Sequence, residues 1–242
     1  ERWELLKGRI PDLSPVRTRL GRAREGEAFD RLLPPLDLDV GDVEGTRTVR
    51  LQGRLEALAR DSTASLMLRE RSKERVDPDR PRSRRSTWGL KALFEHFVLA
   101  AAGVQADRAR ELLLLVAEPE RSGKESPPPE LFRLPLLPVS RQEARNHLRL
   151  LASELLSRPH EYLLPCEAVL KALQNGKEDD GTYLLREIER RRDSGWSRWS
   201  GGWGPVPEPE SYRPPGPDEA VEMVRRRFLP LTDRSGSWET IS

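Results

Sequence analysis

Two stretches of this sequence concentrate side chains able to hold a phosphate or stack on a base. Between Arg69 and Arg85 there are eight basic residues (Arg69, Arg71, Lys73, Arg75, Arg80, Arg82, Arg84, Arg85) and four acids (Glu70, Glu74, Asp77, Asp79), a local net charge of +4. Such a run suits contact with a nucleic-acid backbone, where each neutralised phosphate releases counterions. It equally suits an ordinary solvated loop. Trp196, Trp199 and Trp203 lie close to Arg190, Arg191, Arg192 and Arg198. Indoles that stack on single-stranded bases contribute about 1–3 kcal/mol per base. Aromatics and Arg are also what protein interfaces enrich, and anchoring a loop or a partner is the favoured reading of the three tryptophans.

Other chemistries are closed off. Cys166 is the single cysteine, so there is no internal disulfide, no Cys-rich zinc site and no four-Cys iron–sulfur cluster. Cys166 reads as a small buried hydrophobe. His96, His147 and His160 are too scattered for a metal cluster, and His96 reads as a packed or hydrogen-bonded residue. Gly123-Lys124 and Gly176-Lys177 lack both the first glycine of a P-loop and the Ser or Thr that follows its lysine. There is no G-x-G-x-x-G and no G-x-S-x-G.

The elements that must position these residues are mixed. The chain has 242 residues, 36% apolar and 34% charged, with 42 Lys+Arg against 40 Asp+Glu. A single domain is expected, and any nucleic-acid footprint must be local. No apolar run is long enough for a transmembrane helix and no leader peptide is evident, so a reducing, cytoplasmic setting is expected, without a membrane partner. The chain starts at Glu1 rather than Met, which reads as the start of a fragment of a longer protein. Residues 1–33 read as a lead-in with short helical pieces, 34–192 as the core, 193–217 as a Gly/Pro/Trp-rich loop, and 218–242 as a C-terminal helix and tail.

Within the core, Leu36–Val40, Thr48–Leu58 and Ala64–Arg71 alternate as strands should and suggest an antiparallel meander. A helix follows with Leu90, Leu93, Phe94, Phe97 and Ala101 on one face and Gly103 at its C-terminal cap. Glu111–Val116 reads as a buried central strand, and the Pro-interrupted Leu131–Leu137 as an edge strand. Ser140-Arg141-Gln142-Glu143 is a capping box opening a helix with Ala144, Leu148, Leu151 and Leu155 on one face. Cys166–Gln174, Tyr183–Arg192 and Asp218–Phe228 read as further helices. The fold class is α/β (α+β), with one mixed central sheet flanked by helices.

This layout resembles the restriction-endonuclease-like, PD-(D/E)xK nucleases. Their chemistry uses a carboxylate on one strand and, on the next, a second carboxylate two residues before a lysine. The carboxylates hold Mg²⁺ and the lysine positions the attacking water. Gly53-Arg54-Leu55-Glu56 is similar to the first element, with Glu56 as its acid. Arg69-Glu70-Arg71 then stands where acid-x-Lys belongs, so Arg69 replaces the second carboxylate and Arg71 the lysine. Alternate strand residues face opposite sides, which sets Glu70 away from Arg69 and Arg71. The resemblance therefore implies degenerate catalytic positions at Glu56, Arg69 and Arg71, with no metal or other cofactor in this domain. The plain reading of Glu56 is a strand-face acid paired with Arg54, Arg69 or Arg71.

A second resemblance spans nearly the whole chain. Gly8-Arg9-Ile10-Pro11, Leu51-Gln52-Gly53-Arg54-Leu55, Trp88 to Gly103, Glu143-Ala144 with Leu148, Leu151 and Leu155, Pro159 to Leu170, and Phe228-Leu229-Pro230-Leu231 are similar, in order, to segments of the C-terminal domain of exonuclease V gamma (RecC) subunits. The Pro-rich insert and the Trp-rich arm depart from that pattern. The resemblance implies a non-catalytic, nuclease-like domain that guides duplex or forked DNA and scaffolds a helicase–nuclease complex in double-strand break repair and recombination. Its implied partners are DNA and the beta (RecB) and alpha (RecD) subunits. Two alternatives stay open: an active Mg²⁺-dependent nuclease using Glu56 and Glu70, and a pure protein–protein interaction module.

Overall fold

The computed structural model describes residues 14–22, 25–42, 45–70, 81–117, 129–157, 164–193 and 215–241. Its main sheet is built from β1 (Pro15–Val16), β7 (Ala57–Ala59), β8 (Ala64–Glu70), β9 (Arg110–Ala117), β10 (Glu130–Leu136) and β11 (Glu239–Ile241), in that spatial order. β8 and β9 are parallel and every other neighbouring pair is antiparallel. Parallel neighbours need a long crossover, and here it carries helix α1 (Pro81–Ala101). Pro81 suits a first helical position, where its missing N–H costs nothing. Gly103, at φ 84°, ends the helix in the left-handed region, with Val104 N–H returning to the Leu99 carbonyl at 2.9 Å.

Side chains alternate across the sheet with the period of two that strands impose. Leu58, Met67, Leu112, Leu114, Phe132, Leu134 and Leu136 join the core beneath α1 and helix α2 (Arg141–Ser157). Leu66, Leu113, Leu115 and Leu131 form a second apolar cluster from the opposite parity. The buried all-leucine strand expected over Glu111–Val116 is β9, at the centre of the sheet. α2 opens with Ser140 Oγ accepting the Glu143 N–H at 3.1 Å, the first half of the capping box, while the Glu143 carboxylate turns to Arg234.

Several expectations need correction. Of the lead-in expected over residues 1–33, residues 1–13 and 23–24 lie outside the described residues, and the described part holds strands where short helical pieces were expected: β1, β2 (Thr18–Leu20) and β3 (Arg31–Leu33). Among the described residues the expected three-strand meander does not form, because the run expected as one strand is divided among three sheets. Among the described residues β5 (Gly45–Leu51) pairs with β4 (Leu36–Asp42) in a sheet of two, β6 (Gly53–Arg54) joins β2 and β3, and β7 enters the main sheet. Gln52 marks the break; it crosses Gly21 so closely that a Cβ there would lie 2.6 Å from Gln52 Cβ, and Gly21 holds φ 85°.

β10 is interior rather than at an edge, since β11 pairs along its outer side. Pro135 is tolerated because its carbonyl accepts Gly236 N–H on the side away from β9, so its missing donor falls there too. Phe94 and Leu155, expected on buried faces, are 40% and 67% exposed, while Glu95 and His96 are buried. Cys166 is exposed rather than buried, because it is the first residue of α3 (Cys166–Gln174) and lies outside that helix's buried stripe of Ala168, Val169 and Ala172. No helix among the described residues is long and apolar enough to cross a membrane.

A separate small core joins α3, α4 (Gly181–Asp193) and α5 (Pro217–Arg227) through Ala168, Val169, Leu184, Ile188, Ala220 and Val224. α5 is followed by the short α6 (Leu229–Thr232). Gly181 abuts the start of α5 so tightly that a Cβ would meet the Pro217 carbonyl oxygen at 2.3 Å. Gly181→Ala is therefore expected to force these helices apart and destabilise the chain by about 1–3 kcal/mol. Urea denaturation measures this, and an unchanged midpoint would show that α4 and α5 do not depend on that contact.

Candidate functional site

Glu56 immediately precedes β7, and the β7–β8 hairpin sets its surroundings. Ala57 pairs with Leu66, so Arg69 extends along β8 beyond the end of the β7 pairing. Arg69 shares its face with Met67 and Ser65, the face covered by α1. Across it, Arg69 Nη2 donates to Glu56 Oε1 at 2.7 Å. Lys91 Nζ, from α1, donates to the same oxygen. Of the three partners expected for Glu56, Arg69 is the one seen to reach it, and Lys91 was not foreseen. Glu56 is 17% exposed, Arg69 28% and Lys91 51%, so the cluster is open on its Lys91 side.

One helical turn beyond Lys91, Glu95 lies beneath this pair. Its two carboxylate oxygens accept the Glu56 backbone N–H at 3.2 and 3.3 Å. Deeper still, Arg110 at the head of β9 donates from Nε to the Ser62 carbonyl at 2.7 Å and from Nη2 to Ser65 Oγ at 3.1 Å. Its Nη1 has no hydrogen-bond partner among the described residues. A polar seam therefore runs under α1, from half-open at Lys91 to sealed at Arg110.

The two carboxyls shift in opposite directions. Burial pushes Glu56 upward, but the hydrogen bonds from Lys91 and Arg69, with their charges, outweigh it and its pKa falls below the ordinary value. Glu95 is pushed up to about 7, chiefly by burial; the Lys91 charge opposes this and the Glu56 charge adds to it. Burial lowers Arg110 to about 10 against the attraction of Glu95 and Asp61. Burial also lowers His96 to about 4, and its Nε2 lies 2.9 Å from the Leu137 carbonyl. A neutral ring held against main chain is a structural histidine.

These residues do not fit a divalent cation. Mg²⁺ demands near-ideal octahedral oxygen geometry with carboxylates free to face it. Here Glu56 Oε1 already accepts two cationic donors, the expected second ligand position carries a guanidinium, and Glu95 is turned to main chain. No group of three His, Cys, Asp or Glu among the described residues could hold a metal ion.

The structure brings together Glu56 and Arg69 of the residues singled out by sequence. Arg71, Lys73, Arg75, Arg80, Trp196, Trp199 and Trp203 lie outside the described residues. Arg82, Arg84 and Arg85, expected in a loop, fall within the first turns of α1; their side chains are outside the described set. Lys91, Glu95 and Arg110 escaped the sequence reading. The available signal was a lysine and a glutamate one turn apart at the edge of an apolar helix, and an arginine opening an all-leucine strand. The chain matches no protein-family model, no curated protein and no solved structure.

Glu95 also makes stability depend on pH. A carboxyl whose folded pKa of about 7 exceeds its ordinary 4.5 favours folding in its protonated form. That contribution is complete below the lower value and drains away as pH rises towards the higher one, a loss on the order of 3 kcal/mol. Glu95→Gln keeps an oxygen for the Glu56 N–H and cannot ionise. It is expected to match wild type near the ordinary carboxyl pKa and to exceed it in stability at mildly alkaline pH. Parallel pH–stability profiles for the two proteins would contradict this.

Proposed function

We propose that this chain is a catalytically silent, nuclease-like domain that guides DNA and helps scaffold a helicase–nuclease complex of the exonuclease V type. The observation that carries this reading is the contact between Arg69 and Glu56. In the resemblance to PD-(D/E)xK nucleases, Glu56 occupies the first acid position and Arg69 the second. Their meeting on one face at the open end of the β7–β8 hairpin supports this reading, with a guanidinium where the motif has a carboxylate. A hairpin followed by a helical crossover into a parallel strand further supports a restriction-endonuclease-like core.

In this reading the metal has been replaced by cations that belong to the protein. A site that would have drawn a phosphate through Mg²⁺ keeps positive side chains but no means of activating water. The basic run from Arg69 to Arg85 adjoins it in sequence and supplies further phosphate contacts. The proposed protein partners, the beta and alpha subunits, rest on the ordered resemblance to gamma subunits.

An end-labelled forked duplex with Mg²⁺ or Mn²⁺ tests the reading, with wild type beside Glu56→Ala. Neither protein is expected to cleave, and both are expected to bind the fork with an affinity that falls steeply with salt, by about 0.9 log unit per log unit of salt for each phosphate neutralised. Joint neutralisation of Arg80, Arg82, Arg84 and Arg85 is expected to weaken binding and flatten that slope. Cleavage by wild type alone would identify a live nuclease instead. Absence of salt-dependent binding would leave a protein–protein module.

A further inference from the structure

We propose that Arg69 and Lys91 form a binding site for one phosphate of the DNA backbone, and that Glu56 masks it by holding both cations until a phosphodiester oxygen takes its place. The inference deepens the DNA-guiding function proposed above and rests on it. Two cationic donors from different elements, β8 and α1, converge on one carboxylate oxygen. That convergence is the arrangement a phosphate oxygen would accept, and a carboxylate is the protein group most like it in charge and geometry. Lys91 is half exposed and Arg69 partly so, which leaves the cluster within reach of a ligand. It also lies where the parallel pair β8 and β9 ends, the end at which open α/β sheets receive ligands.

Charge decides the sign of the effect. Arg69, Lys91 and Glu56 together carry +1, so a phosphodiester entering the site is attracted by two cations and repelled by one anion. Glu56→Gln removes the repulsion and keeps a carbonyl oxygen that can accept from the partly buried Arg69, while Lys91 is half exposed to solvent. The main-chain bond from residue 56 to Glu95 does not involve the substituted group. An alteration of a conspicuous acid is therefore expected to strengthen binding, opposite to the result for a catalytic or metal-ligating glutamate.

The test measures affinity for a forked duplex across a salt series for wild type, Glu56→Gln, and Glu56→Gln carrying Arg69→Ala and Lys91→Ala. Inorganic pyrophosphate is titrated in parallel, and thermal melts check folding. Glu56→Gln is expected to bind the fork about tenfold more tightly, with the salt slope steeper by about one unit, and the added substitutions are expected to abolish the gain. If wild type binds DNA but Glu56→Gln, melting normally, binds no better, the masked site is overturned and the DNA-guiding function stands. If no variant binds DNA while Glu56→Gln gains affinity for pyrophosphate that depends on Arg69 and Lys91, the backbone assignment is overturned together with the DNA function. Absence of both would overturn the site entirely.

Discussion

Parallel strands cannot be joined by a tight turn, so the chain between β8 and β9 must cross the sheet face and return. That constraint places α1 directly over the sheet, where it seals Met67, Leu112 and Leu114 beneath Leu93, Phe97 and Ala101. It also fixes what the polar groups on that face can meet. Glu56 and Arg69 share the face by strand parity, and α1 brings Lys91 onto them and Glu95 under them. The ion cluster is thus a consequence of the crossover, and a helix shifted by one turn would dissolve it.

Burial grades the electrostatics along this seam. Near the opening, Glu56 keeps its charge because two cationic donors meet it. One turn deeper, the direct partner of Glu95 among the described residues is the Glu56 backbone N–H, and desolvation favours its neutral form. Paired acids with separated pKa values are often the marks of acid–base catalysis. Here the raised acid is 5% exposed and bonded to main chain, so its role is to hold the strand entering β7. Arg110 closes the inner end by capturing the Ser62 carbonyl and Ser65, thereby fixing the β7–β8 turn that sets the hairpin register.

Elements whose signal is local were legible in the sequence. The leucine run of β9, the glycine closing α1 and the serine capping α2 each act within a few residues. Pairing was less legible, because it depends on partners distant in the chain. Pro135 suggested an edge, yet its imino side merely faces outward while β11 arrives from the far end of the chain. The alternation over Thr48–Leu58 is real, but Gln52 bends past Gly21 and redistributes the run among separate sheets. At the site, Arg54, Arg69 and Arg71 were the expected partners of Glu56, and Arg69 is the one seen to reach it. Lys91 and Glu95 flank the apolar stripe one turn apart, but nothing local in that pattern tells that the crossover sets both against Glu56.

In the proposed reading, Arg69 and Lys91 occupy the place a metal would need. Manganese titration followed by electron paramagnetic resonance addresses it directly, because free and bound Mn²⁺ give distinct signals. The wild-type chain is expected to show no saturable site whose loss accompanies Glu56→Gln. One equivalent of Mn²⁺ bound by wild type and lost in that variant would contradict the claim.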